Sequence, residues 1–181
     1  VSVSRFRQHC PKPTPPLVPP SLPARAQLLV SAGWDHTIQV WDARLNRSVR
    51  SIFGPYMCGD ALDLRGGKVL AGSWRHTNPL ELWDLGSSQL LTRLPFYQPE
   101  QDACKVYAAK FGRGTLDKFI VAGGSGSTPC MKVFSENGEL LGTQLLSSPC
   151  YSLDTVGLSD ARLVSVCCSA EVHVLDMSKP S

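Results

Sequence analysis

The sequence predicts an all-β protein made of about four consecutive units of roughly 40 residues, each a small antiparallel sheet. Three observations lead there. Trp41, Trp83, Phe134 and Leu175 recur at spacings of 42, 51 and 41 residues. Each ends a tract of the same alternating pattern: Ile38-Gln39-Val40-Trp41, Leu80-Glu81-Leu82-Trp83, Met131-Lys132-Val133-Phe134 and Val172-His173-Val174-Leu175. Apolar, polar, apolar, large is the period-two signature of a strand with one buried face. Turn chemistry then punctuates the chain between these tracts.

Within each unit the elements follow in order. A second apolar run precedes each anchor tract, over 29–33, 69–73, 119–124 and 163–167, and flows into small residues. The connections between the two runs, "WDHT", "WRHTNP", "SGSTPC" and "SAE", carry Gly, Pro, Asp or Asn in three of the four cases, which lets the backbone reverse tightly. An inner strand is expected ahead of the later hairpins, over 61–64, 106–111 and 151–156, and an outer strand after the first three anchors, over 48–52, 90–93 and 140–145. Four short strands per unit is the composition of a propeller blade, and the blades are expected at about 28–54, 55–96, 102–146 and 148–181.

The units resemble the WD-repeat family of β-propellers. Trp41-Asp42 and Trp83-Asp84 stand where that family has its Trp-Asp dipeptide, and Asp35 stands where it has a structural Asp in the hairpin turn. Ser31, Asp35 and Trp41 match three members of a hydrogen-bonded set that the resemblance implies, but the Gly-His pair completing it occurs nowhere, and Arg75, Gly126 and Ser169 replace the turn Asp in the other units. The blades are therefore expected to rely on apolar packing, with Trp41, Trp83, Phe134 and Leu175 as core.

Propellers of this family most often have seven blades, so four units lead to the expectation of a truncated or fragmentary member; a closed four-bladed ring is the alternative. Its first blade is expected to lack an inner strand, because "CPKPTPPLVPPSLPARAQ" precedes Leu28 and proline cannot donate to a ladder. The last is expected to lack an outer one. Residues 1–27 read as a Pro-rich disordered leader, with seven of the 14 prolines between positions 11 and 23. Within it Pro20, Pro23 and Arg25 have the Pro-x-x-Pro-x-Arg order that SH3 domains bind.

Composition narrows the function. The 181 residues are 43% hydrophobic and 18% charged, as in soluble globular chains, with a net charge of +3. All of the positive excess lies in the leader, at Arg5, Arg7, Lys12 and Arg25, so no broad phosphate-binding face, and no nucleic-acid partner, is expected. No stretch is long and apolar enough for a membrane helix, and no signal-peptide core opens the chain, so a cytoplasmic protein is expected, with the nucleus as the alternative. Seven cysteines without a Cys-x-x-Cys pair read as reduced thiols packing as small hydrophobes, and no metal or cofactor is expected. "GGSGS" at 123–127 lacks the Gly-Lys-Ser/Thr ending of a phosphate loop, and the four histidines fit no catalytic spacing. Asp60, Asp63 and Asp154 read as solvated carboxylates beside the inner strands.

A non-catalytic protein-interaction scaffold is the reading these features favour, and its working parts should be blade loops. Trp34 and Trp74 occupy equivalent places just before the hairpin turns of the first two units, where the resemblance implies a partner-binding face; Arg75 follows Trp74 in that turn. Leu29 to Arg44 also resembles the box by which WD-repeat substrate receptors join cullin-4 ubiquitin ligases. That resemblance implies Arg44 as the residue touching the ligase adaptor, supported by Asp42 and Asp35. A propeller enzyme is the third reading.

Overall fold

The computed structural model describes residues 2–5, 28–96, 105–113, 118–157 and 162–177, and among them every regular element is a strand. Four antiparallel sheets follow one another in chain order. Blade 1 contains β1 (Ser2–Arg5), β2 (Leu28–Ala32), β3 (Thr37–Asp42) and β4 (Arg47–Phe53). Blade 2 contains β5 (Leu62–Arg65), β6 (Lys68–Gly72), β7 (Leu80–Asp84) and β8 (Leu90–Arg93). Blade 3 contains β9 (Lys105–Phe111), β10 (Phe119–Ser125), β11 (Cys130–Ser135) and β12 (Leu140–Leu145), and blade 4 has β13 (Ser152–Gly157), β14 (Arg162–Cys167) and β15 (Val172–Asp176). The inner strands β1, β5, β9 and β13 lie side by side, so the fold is a four-bladed propeller arc.

The expectation that blade 1 lacks an inner strand is corrected. Ser2–Arg5 pairs antiparallel with β2, placing Ser2 opposite Ala32 and Arg5 opposite Leu29. Ser2–Arg5 precede every proline of the chain, so the proline argument does not reach them. The leader is therefore not one unstructured segment from residue 1 to 27. Pro20, Pro23 and Arg25 lie outside the described residues.

Each blade is a four-strand or three-strand meander in which successive side chains point to opposite faces. One face carries the anchors and packs on the preceding blade. The Trp83 ring lies beside Gly54, at the exit from blade 1. Phe134 is fully buried, 6.3 Å from the Phe96 ring that follows β8, and Leu175 packs against a cluster containing Met131 and Val133 of blade 3. Trp41 is the exception: the residue is 37% exposed, which corrects its assignment to the core. The side of blade 1 that carries it has no blade packed on it among the described residues. Its indole still donates to Ser31 Oγ at 2.9 Å.

Sandwiching has a second consequence. In blades 2 and 3 both faces are covered, so the polar second position of the anchor tract is buried rather than solvated. Glu81 is met by Arg75 Nη2 at 2.6 Å and Arg93 Nε at 3.4 Å. Lys132 Nζ donates to the Phe96 carbonyl at 2.9 Å and lies over its ring. The inner strands carry similar stitches. Asp63, expected to be solvated, is buried, accepts from the Phe111 amide at 2.9 Å, and so ties blade 2 to blade 3. Thr155 Oγ1 donates to the Phe111 carbonyl at 2.9 Å and ties blade 3 to blade 4. Cys58, Cys150, Cys167 and Cys168 are free thiols, and burial pushes Cys150 up to about 12.

Candidate interaction surface

The antiparallel registers bring the β2–β3 and β6–β7 turns, and the start of β9, to one end of the arc. In blade 1 the turn is a tight reversal. Asp35 Oδ1 accepts from the Thr37 amide at 3.1 Å, and this bond holds its carboxyl below the usual range. His36 takes a left-handed φ of 60°. Trp34 is thereby thrown outward and is 55% exposed.

The connection leaving blade 1 completes a cluster around it. Met57 N donates to the Gly33 carbonyl at 3.1 Å and Trp74 N to the Tyr56 carbonyl at 2.7 Å, so residue 56 is held between the two hairpin turns. Trp34 meets Tyr56 edge-on at 5.1 Å and Trp74 at 5.9 Å between ring centres. His36 stacks on Tyr56 at 4.6 Å. From blade 3, Lys105 Nζ sits 3.7 Å from the centre of the Trp74 ring, a cation–π contact. Further along the same end, Tyr107 and the half-exposed Tyr151 pair at 5.4 Å, linking blades 3 and 4.

The sequence-derived positions thus divide between two ends. Trp34 and Trp74 come together at the rim. Arg75 lies beside them with its charge directed inward: besides Glu81, its guanidinium donates to the carbonyls of Asn78 and Gly54, pinning the turn. Asp42, the last residue of β3, and Arg44, in the turn that follows, lie at the opposite end. Asp42 is buried and accepts two side-chain bonds from Arg44, at 2.9 and 2.5 Å, plus one from its backbone amide at 2.9 Å. These bonds hold the Asp42 carboxyl down at about 2 and raise the Arg44 guanidinium, whose side chain stays half-exposed.

Sequence reasoning missed Tyr56, His36, Lys105 and Tyr107. Tyr56 and Tyr151 share one legible signal: each is an aromatic residue in the segment that enters an inner strand. Lys105 had none, because it reaches Trp74 only through the packing of blade 3 on blade 2.

No protein-family model matches the sequence, and no curated protein matches it. Solved structures do. The chain is similar to the computationally designed Ika4 protein, at 24% identity and a TM-score of 0.64, over 83% of this chain and 85% of that one. The likeness to the designed Ika8 protein is 22% identity and a TM-score of 0.63, over 83% and 43% of the two chains. The WD40 β-propeller domain of Doa1 matches at 19% identity and a TM-score of 0.62, over 84% of this chain and 47% of that one. At such identities the likeness is one of fold, and the fold is a β-propeller. The chain spans less than half the length of the Ika8 and Doa1 chains it matches.

Proposed function

We propose that the protein is a non-catalytic interaction scaffold whose working surface is the aromatic rim over blades 1 and 2, and that its partners are other proteins. The observation that carries this reading is Trp34, more than half exposed yet held in ring contact with Tyr56 and Trp74. A rigid aromatic cluster offers large contact area at little further cost in side-chain entropy, and indoles are enriched among the residues that dominate interface energies. Lys105 and His36 add polar handles at its edge.

Affinity purification with quantitative mass spectrometry tests it. Trp34→Ala should leave folding intact, because the ring lies outside the core, and should weaken the principal partner by about 30-fold, the equivalent of roughly 2 kcal/mol. Retention of every partner at unchanged affinity would sink the reading. Turnover of a small molecule by the pure protein would replace it with an enzyme.

A second reading rests on the opposite end. The Asp42 fork presents the half-exposed Arg44 guanidinium in a defined orientation, as the resemblance of Leu29 to Arg44 to a cullin-4 receptor box would require. Co-purification of the ligase adaptor, lost in Arg44→Glu and kept in Trp34→Ala, would favour it over the first.

A further inference from the structure

The aromatic rim holds a positive charge that nothing described beside it neutralises. Lys105 Nζ rests 3.7 Å from the centre of the Trp74 ring, at the junction of blades 2 and 3, and among the described residues it has no salt bridge. We propose that the partner supplies the missing carboxylate: the rim takes an extended acidic segment of another protein, in which an Asp or Glu reaches Lys105 and an apolar or aromatic residue two positions away lies on Trp34. This rests on the rim being the working surface and adds what that surface selects.

The other described Asp, Glu and Arg side chains around this end already have partners. Asp35 Oδ1 accepts from the Thr37 amide. Arg75 is bound to Glu81 and to the carbonyls of Asn78 and Gly54. Asp60, on the segment entering β5, meets Lys110 Nζ at 2.7 Å, and Glu171 accepts from Ser147 Oγ at 2.8 Å and lies 3.3 Å from His173 Nε2. Acceptors are what the rim lacks, and Trp74 Nε1 is without one as well. A half-buried ammonium on a ring has given up part of its hydration, and the π face attracts it without cancelling its charge. A carboxylate arriving there interacts in a lower dielectric than bulk water, where a charge-assisted hydrogen bond is worth more.

Polarity and span fix how such a segment lies. The exposed Asp35 adjoins Trp34 on the blade 1 side and Lys105 stands on the blade 3 side, with Tyr56 and Trp74 between them. An acidic residue is therefore drawn toward Lys105 and repelled from Trp34. The Trp34 and Trp74 ring centres are 5.9 Å apart, and Lys105 Nζ is 3.7 Å from the second. In an extended peptide, side chains two positions apart point the same way at about 7 Å from one another, so an acid-x-apolar sequence covers both subsites. A polyanion fits less well. Nucleic acid binding draws on several phosphates neutralised together, and Lys105 neutralises one charge. A phosphate group is best met by an arginine fork, whereas the nearby Arg75 is turned inward to Glu81.

Selection of a phage-displayed library of random peptides on the full 181-residue chain, followed by calorimetric titration of the most enriched peptide, tests it. Enriched peptides should carry an Asp or Glu two positions from a Trp, Phe or Leu. Lys105→Met keeps a side chain of similar reach over Trp74 and should weaken the peptide about 10-fold, whereas Lys105→Arg should bind as the wild type does. Replacing the peptide's acid by its amide should cost the wild type the same factor and cost Lys105→Met nothing. No enriched peptide, enrichment without an acid, full affinity in Lys105→Met, an amide penalty that persists in that variant, or tighter binding of oligouridylate than of any peptide would each overturn the proposal. Trp34→Ala in the same titration separates it from the reading beneath. Binding lost there yet indifferent to Lys105 strikes only the carboxylate, and full affinity in Trp34→Ala strikes the rim itself.

Discussion

The bond from Trp41 Nε1 to Ser31 Oγ shows what a single hydroxyl contributes in this fold, because blade 2 lacks it. Ala71 stands at the position equivalent to Ser31, two residues beyond the one paired with the anchor, and the Trp83 indole nitrogen is buried without an acceptor. A satisfied hydrogen bond contributes about 1 kcal/mol net. Ala71→Ser should therefore raise stability by about that amount in urea denaturation, and the gain should vanish when Trp83 is also replaced by Phe. The Asp42 carboxylate makes a different prediction. Its partner Arg44 holds it at about 2, below the ordinary value of 3.8. A depressed carboxylate stabilises the fold above its unfolded pKa and loses that contribution as pH falls through the folded one. The Asp42 carbon resonance should titrate with a midpoint near 2 in the wild type and move up toward 3.8 in Arg44→Ala.

Strands β7 and β11 depart from the simple alternation that revealed them. Glu81 and Lys132 sit at polar positions of a period-two pattern, and the pattern predicts solvent on that side. Both side chains instead face a neighbouring blade, and each is tolerated only because a dedicated partner meets it: Arg75 and Arg93 for Glu81, the Phe96 carbonyl for Lys132. Removing one member of a buried pair costs about 3 kcal/mol or more, most of it the penalty of the charge left behind. Arg75→Met should destabilise by roughly that amount in chemical denaturation, because it leaves the buried Glu81 carboxylate with the half-exposed Arg93 alone, and Arg75→Met combined with Glu81→Met should recover part of it. Arg75 also shows how a blade can do without the turn Asp: a long side chain crossing the hairpin replaces a short one capping it.

Stability along the arc should be graded. The buried apolar residues form two clusters, one running through blades 1 to 3 and a smaller one joining blade 3 to blade 4, and they lie on opposite faces of the third sheet. Blade 4 has three described strands and one covered face, and consecutive repeats couple chiefly to their neighbours. Leu153 is buried in the smaller cluster. Leu153→Ala should therefore release amide protons of β13 to β15 to rapid exchange while β6, β7, β10 and β11 stay protected. Uniform loss of protection across all four sheets would show that the arc unfolds as one unit.

Strand positions were legible because alternation and turn chemistry are local: β6, β7, β8, β10, β11 and β12 fall within a residue or two of where apolar runs, small residues and anchors place them. The one strand that went unread, β1, pairs with β2 across the whole Pro-rich segment, so nothing near it in sequence identifies its partner. Which side of a strand meets solvent is a different kind of fact. The same tract buries Phe134, exposes Trp41 and buries Lys132, because burial here is set by the adjoining blade and not by the strand's own pattern. Packing between blades likewise carries Tyr56 and Lys105 to the indoles of Trp34 and Trp74. The order of residues along the chain decided which segments are strands and how often they recur. Only the stacking of one sheet on the next decided which faces are core, which charges need partners, and where aromatic rings gather, since those depend on contacts between residues tens of positions apart.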